Sequence, residues 1–227
     1  MDATPLEALP EDETEDVADV PATAEIAPAS AKHSRLPGTK VGRAIARIAA
    51  RWVGLKSLRQ VSRRVPDDCS GLVRLAYERG GLDPMGVDGL HGDNAVTTMW
   101  RRAFRLKALK RSGPRPGDLI FFRDTWDRNG DGQRNDGLTH VATVEKVDRD
   151  GTVTFIHRSG QGVNRMRMNL HHRHQRTLAG RTINDYLRRP DGTGGPRLTG
   201  ELFAGYASVN AFARQTPRQA RHGTQSR

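Results

Sequence analysis

Apolar residues recur at spacings of three and four in three segments of the first half of the chain, a pattern typical of helices with one buried face. The stripes are Val41, Ile45, Ile48, Trp52 and Leu55, then Cys69, Leu72, Val73 and Ala76, then Val96, Met99, Trp100 and Ala103. The second helix has clear ends, because Asp67 or Asp68 can cap its start and Gly80-Gly81 can close it. Cys69 is therefore predicted in a first helical turn, with its side chain on the buried face.

The period changes to that of strands after a turn at Arg115-Pro116-Gly117-Asp118. Apolar or alternating runs then predict strands at 119–122, 138–147, 152–157, 162–170 and 201–209. Helices come first and consecutive strands later, which indicates an α+β fold with an antiparallel sheet. We expect the cysteine-bearing helix to pack on an antiparallel sheet of about five to six strands.

Charge divides the chain into unequal parts. The first 31 residues hold nine acids and no Lys or Arg, a net charge of −9, whereas the rest holds all 37 Lys and Arg and the other 17 acids, a net charge of +20. We predict a disordered acidic Ala/Pro-rich segment at 1–38, a catalytic domain at 39–210 and a basic flexible tail at 211–227.

The cationic domain implies an anionic partner, which can be a nucleic acid, a membrane face or an acidic cell-wall polymer. Nucleic acid is not expected, since the chain shows no recognition motif or base-stacking set. No segment is apolar enough to span a bilayer, and the start Met1-Asp2-Ala3 does not resemble a signal peptide. One cysteine excludes an internal disulfide, and the oligomeric state is not indicated.

The chemistry of the chain is predicted to centre on Cys69, its only cysteine. A helix start offers unpaired N–H groups and a positive dipole end, which together can lower a thiol pKa and make the thiolate a nucleophile. The other interpretation is a small buried apolar residue. Asp68, Ser70 and Gly71 surround the thiol in sequence and are predicted to contact a substrate, with Gly71 giving room at the backbone.

Two histidines are predicted to join Cys69. His140 shares a strand face with Ala142 and Val144, and His157 shares one with Phe155, so both are expected on the apolar side. If the cysteine helix packs on that side, Cys69 is the nucleophile, His140 the base and His157 the residue that orients His140. Alternatively, each histidine is a half-buried polar residue of its strand.

Four motifs then resemble the NlpC family of papain-like cysteine peptidases. They are Asp68-Cys69-Ser70-Gly71-Leu72-Val73, the run 115–122, Thr139-His140-Val141-Ala142, and Phe155-Ile156-His157-Arg158-Ser159 with Gly162-Val163. The resemblance covers about residues 45–170. It implies a rearranged papain-like fold, triad positions for Cys69, His140 and His157, and hydrolysis of amide bonds in bacterial cell-wall peptides. It also implies a location in the cell envelope or outside the cell.

The segment before the cysteine departs from the family. Residues 56–66 lack the Tyr and the Gly-Gly pair that contribute to the substrate site in family members, and they carry Arg59, Arg63 and Arg64 instead. The arginines could favour a more anionic substrate. The sequence is therefore also compatible with a second class of function, that of a non-catalytic anion-binding module on a papain-like scaffold.

The loop before His140 has the oxygen spacing of a calcium loop. Asp127, Asn129 and Asp131 stand at positions 1, 3 and 5, Gly132 at position 6, Gln133 at position 7 and Asp136 at position 10. Calcium would order the start of the histidine strand and would be structural, because the proposed chemistry needs no cofactor. The other interpretation is a polar loop whose side chains cap its own turns.

Overall fold

The computed structural model describes residues 39–86, 94–192 and 194–215. The segment predicted to be disordered, 1–38, lies outside them, as does most of the predicted tail. The helices described are α1 (Lys40–Ala50), α2 (Cys69–Arg79), α3 (Ala95–Arg105) and α4 (Val209–Gln215), with a 3-10 turn at Leu58–Gln60. The strands are β1 (Leu109–Lys110), β2 (Leu119–Arg123), β3 (Leu138–Val147), β4 (Val153–Ser159), β5 (Gly162–Met168), β6 (Thr177–Leu178), β7 (Arg181–Thr182) and β8 (Phe203–Ala207).

Six of these strands form one antiparallel sheet in the order β1-β8-β2-β3-β4-β5, and β6 and β7 form a separate hairpin. Consecutive strands β2 to β5 are neighbours, as the run of strands in the sequence predicts. The last strand returns to pair with β2, and this completes the sheet. The expected α+β class with an antiparallel sheet is confirmed.

The sheet buries both of its faces, and alternate residues of each strand face opposite sides. On one face, Phe121, Val141 and Ile156 pack with apolar residues of the four helices. On the other face, Phe122 and Phe155 pack with residues such as Leu202 and Tyr206. The strands β2, β3 and β4 are consequently almost fully buried, which explains why their sequences read as apolar runs.

Helix α2 is fixed to the sheet by a buried hydrogen bond as well as by apolar contacts. The hydroxyl of Tyr77 donates to the carbonyl oxygen of Gly117 at 2.7 Å, at the turn before β2. Asp118 in the same turn accepts the N–H of Val209 at 2.9 Å and pairs with Lys110 at 2.6 Å. The turn predicted at 115–118 therefore anchors α2, β1 and α4 together.

The predicted tail at 211–227 begins inside a helix. Helix α4 runs to Gln215, and Ala211 and Phe212 are buried in the main core. The ring of Phe212 packs edge-on against Tyr77 of α2, with ring centroids 5.7 Å apart. The folded domain thus extends five residues beyond the predicted boundary at 210, because the apolar positions of a short C-terminal segment pack against α1 and against Tyr77 of α2.

None of the helices in the described ranges is long and apolar enough to cross a membrane.

Candidate active site

Cys69 is the first residue of α2, and Asp68 builds the turn that holds it. The Asp68 carboxylate caps the helix, accepting the N–H of Gly71 at 2.8 Å and the hydroxyl of Ser70 at 2.7 Å on the same oxygen. This bond satisfies one of the free donors of the helix start. Cys69 as a whole residue is of intermediate exposure at the start of the helix, although its thiol is desolvated enough for burial to raise its pKa.

The two histidines are brought together by the pairing of β3 and β4. His140 stands near the start of β3 and His157 near the end of β4, and antiparallel pairing makes these positions neighbours. Nε2 of His140 lies 3.0 Å from Nδ1 of His157, a hydrogen bond between the two rings. Both side chains are buried, with exposed fractions of 9% and 1%.

The cysteine helix does not pack on the face that carries the histidine rings. His140 contacts Phe122, and His157 contacts Phe155, both of which belong to the second cluster. Helix α2 instead packs with Val141 and other residues of the opposite face. The structure therefore differs from the expectation of one shared face, because both faces of this sheet are apolar and alternation alone could not select between them.

The thiol nevertheless reaches the histidine strand through its backbone. Helix α2 packs against both β3 and β4. The backbone N–H groups of Val141, the residue that follows His140, and of Ser70 and Cys69 itself act to lower the pKa of the Cys69 thiol. The first turn of α2 is thus placed at the point of β3 that carries His140.

Burial dominates the titration of all three side chains. It raises the pKa of the Cys69 thiol to about 11, and the charge of Asp68 acts in the same direction. It lowers the pKa of His140 well below its ordinary value, with a further lowering by the charge of His157. It lowers the pKa of His157 to about 4. At neutral pH the resting site therefore holds a thiol and two uncharged imidazoles.

This charge state differs from the sequence expectation of a depressed thiol pKa. The N–H groups at the helix start do favour the thiolate, as expected, but they are outweighed by the loss of hydration and by the negative Asp68 next to the sulfur. Sequence alone shows the helix start and not the depth of burial.

The three residues predicted to contact a substrate have partners within the chain. Ser70 is buried with an exposed fraction of 3%, and its hydroxyl is bonded to the capping Asp68. Gly71 is needed for a close approach, but the group that approaches is the carbonyl oxygen of Pro66, which a Cβ would overlap. Substrate contact by Asp68, Ser70 and Gly71 stays a prediction, and their observed role is to shape the turn under Cys69.

The predicted calcium loop is closed by its own side chains. Asp127 accepts two N–H groups of the loop at 2.7 and 2.8 Å, and Asn129 and Asp131 each accept the N–H two residues on. The N–H of Gln133 is the donor to Asp131. Asp136 accepts two N–H groups at the loop start with Oδ1, while its buried Oδ2 has no partner in the described part of the chain.

No group of three or more His, Cys, Asp or Glu side chains within the described ranges is arranged to hold a metal ion. Calcium binding by Asp127, Asn129, Asp131, Gln133 and Asp136 stays a prediction, and it requires some of these carboxylates to leave their backbone donors. Capping of the loop's own turns is the interaction that the structure displays.

The sequence patterns do not reveal an ion pair that joins the segment before α2 to β4, the strand that carries His157. Arg158, directly after His157, donates to both oxygens of Asp67, two residues before Cys69. The sequence predicts Asp67 or Asp68 as the helix cap, and Asp68 fills that role. One feature of the sequence points to this contact, because Arg158 is a charged residue that follows His157 directly in an otherwise apolar strand.

Comparison with known proteins gives one family. Residues 62–159 match the model of the CHAP domain, and this segment holds Cys69, His140 and His157 together. A comparison with curated proteins finds no match. Among solved structures, the chain is similar to that titled "Structure of NlpC1 from Trichomonas vaginalis", with 24% identity, coverage of 58% of this chain and 40% of that chain, and a TM-score of 0.37. The present chain thus spans less than half the length of that protein.

The matched segment runs from just before α2 to the end of β4, and it includes the helix-start cysteine and both strands that carry the histidines. The match to the CHAP domain model over residues 62–159 supports the expected NlpC/papain-like family of cysteine peptidases.

Proposed function

We propose that this protein is a cysteine-dependent hydrolase of amide bonds in bacterial cell-wall peptides, a peptidoglycan endopeptidase or amidase. Cys69 is the nucleophile, His140 the base and His157 the residue that orients the His140 ring. The observation that carries the proposal is the 3.0 Å bond between the two buried histidines, together with a cysteine that starts the helix packed against both of their strands. The CHAP match supports the substrate class.

The hydrogen bond between the rings selects the reactive nitrogen of the base. When Nε2 of His140 donates to Nδ1 of His157, Nδ1 of His140 keeps its lone pair and can accept the thiol proton. His157 must be uncharged to accept this bond, and burial ensures that by lowering its pKa to about 4. The same acceptor stabilises the positive charge that His140 gains during the reaction.

In the reaction, the sulfur of Cys69 attacks the amide carbonyl carbon while its proton passes to His140. His140 then gives this proton to the leaving nitrogen, the C–N bond breaks and a thioester remains. Water attacks the thioester with His140 again as base, which releases the acid and restores the thiol. Because the resting pair is uncharged, the proton moves during attack and not before it.

The basic surface provides a means of holding an anionic polymer. Residues 32–227 carry a net charge of +20, and Arg59, Arg63 and Arg64 are exposed on the segment that leads into α2. Cationic side chains near a cleft raise the local concentration of a negatively charged substrate. This supports action on the cell envelope, and a location there or outside the cell is part of the proposal.

The test is digestion of purified peptidoglycan followed by mass analysis of the soluble fragments. The wild-type chain should release peptide fragments with new termini at one type of amide bond. Cys69→Ala and His140→Ala should each abolish release, whereas His174→Ala, which removes a histidine side chain that is 72% exposed, should leave it unchanged. Intact peptidoglycan after digestion, with salt-sensitive binding to an anionic polymer and an unreactive Cys69, would support the anion-binding module instead.

A further inference from the structure

We propose that the Asp67–Arg158 ion pair is a positioning element that sets Cys69 against the His140–His157 pair. The inference rests on the proposed function, since the geometry that it maintains is that of the proposed nucleophile and base. Neither Asp67 nor Arg158 touches the reacting atoms, so both act through their neighbours. The place of the two residues in the chain is the first reason for the assignment.

Asp67 lies two residues before Cys69, and Arg158 directly follows His157. The pair therefore ties the start of the nucleophile helix to the end of the strand that carries the orienting histidine. Asp67 is joined to Cys69 through Asp68, and Arg158 is bonded directly to His157. A displacement of either partner must be passed on to the relative position of thiol and ring.

The contact is bidentate and therefore directional. Nε of Arg158 donates to Oδ1 of Asp67 at 2.9 Å, and a terminal nitrogen donates to Oδ2 at 3.0 Å. Two parallel bonds between planar groups fix orientation as well as distance, which a single point contact does not. Asp67 Oδ1 also accepts the N–H of Leu58 at 2.8 Å, so the 3-10 turn before α2 is joined to the same carboxylate.

The pair is largely withdrawn from water. The side chains of Arg158 and Asp67 have exposed fractions of 11% and 19%. The Arg158 hydrogen bond holds the pKa of Asp67 below its usual range despite burial, so the carboxylate is charged at neutral pH. Water cannot readily replace a lost ionic partner at a site that is largely buried. Removal of Asp67 or Arg158 therefore leaves the other side chain desolvated and without its ionic partner.

A second ion pair of the same chemistry provides a matched control. Arg165 of β5 donates to both oxygens of Glu145 in β3, at 2.6 and 2.7 Å. This pair lines a separate cavity of about 400 Å³ that none of the three proposed catalytic side chains lines. Breaking it removes a bidentate Arg–carboxylate contact between two side chains that belong neither to the segment before α2 nor to β4.

The first arm of the experiment is kinetic and uses peptidoglycan fragments as substrate. Asp67→Asn and Arg158→Gln should each lower kcat about 10- to 100-fold with KM nearly unchanged, because misplacement of a nucleophile by about 1 Å has effects of this size. Arg158→Lys should recover part of the loss, and the double variant should be no worse than the poorer single one. Arg165→Gln should keep the wild-type kcat.

The second arm needs no hydrolysis and measures the rate of Cys69 alkylation by iodoacetamide against pH. Loosening the helix start admits water to a thiol whose pKa is raised to about 11 by burial. The pair-broken variants should therefore alkylate faster at pH 8, by up to about 100-fold if the thiol reverts to the ordinary pKa of 9.0. Arg165→Gln should match the wild type.

The two arms separate failure of the inference from failure of the proposed function. A wild-type chain that hydrolyses nothing removes the proposed function, and the alkylation profile still decides whether the pair positions Cys69. The inference is overturned if the three variants of the pair, Asp67→Asn, Arg158→Gln and the milder Arg158→Lys, lower only the melting temperature, as Arg165→Gln does. Wild-type values of kcat and of the alkylation rate would show that the pair is a structural contact alone.

Discussion

The buried histidine pair should make the protein lose stability in mild acid. His157 has a pKa of about 4 when folded, against 6.5 for an ordinary histidine. A group whose folded pKa is lowered contributes stability that is present above its unfolded pKa and is lost as pH falls through the folded one. The window for His157 therefore runs from pH 6.5 down to about 4.

The size of the loss follows from the two protonation states. At pH 5 an unfolded histidine is almost fully protonated, whereas folded His157 is only about one-tenth protonated, so linkage gives a loss of about 2 kcal/mol between pH 7.5 and pH 5. His140 acts in the same direction because its pKa is also lowered. A loss of this size is a large part of the stability of a typical domain.

Urea unfolding followed by circular dichroism at pH 7.5 and pH 5 measures the effect. Replacement of His157 by Gln should reduce the loss of unfolding free energy on acidification by about 2 kcal/mol relative to wild type. Equal losses in wild type and His157→Gln would show that His157 is not held uncharged by burial, and the argument for its acceptor role would fail with it.

Three further predictions follow from the same geometry. Cys69 should react with iodoacetamide about 100-fold more slowly at pH 8 than a thiol of pKa 9.0, with a rate that rises toward pH 11; a plateau below pH 8 would contradict the raised pKa. Gly71→Ala should cost about 3 kcal/mol in urea unfolding because the new methyl group overlaps the Pro66 carbonyl oxygen, and an unchanged midpoint would refute that contact. If the loop binds calcium, the ion at millimolar concentration should raise the melting temperature of wild type but not of Asp131→Ala, and calorimetry should record a binding heat. Equal melting temperatures with and without calcium, and no binding heat, would show that the side chains of the loop only cap its own turns.

Local patterns predicted the elements well. Capping chemistry at Asp68 and the closing glycines gave the helix from Cys69 to Arg79, and the alternation of apolar residues gave β3 at 138–147. These features depend on neighbours within about four residues, so the sequence contains the whole cause. The end of the domain was predicted less well, because Phe212 is buried through contacts with distant residues such as Tyr77, more than a hundred positions away in the chain.

The candidate site divides along the same line. Strand order and phase predicted that His140 and His157 would be neighbours, since antiparallel pairing of adjacent strands leaves few alternatives. The face on which α2 packs could not be predicted, because Val141 and Ile156 on one face are as apolar as Phe122 and Phe155 on the other. Long-range contacts such as Arg158 with Asp67 leave no periodic pattern at all.

Burial links the stability of the site to its chemistry. The same removal of water that makes Cys69 a weak acid makes His140 and His157 weak bases, so all three groups shift away from charge. A thiolate–imidazolium ion pair is therefore disfavoured in the resting site. In the proposed reaction, the substrate brings a carbonyl group that takes up the negative charge. The backbone N–H groups of Val141, Ser70 and Cys69 act against this burial, because they favour the charged form of the thiol. On this argument burial keeps the site uncharged at rest, and the backbone donors reduce the cost of the charge that the sulfur would gain in the proposed attack.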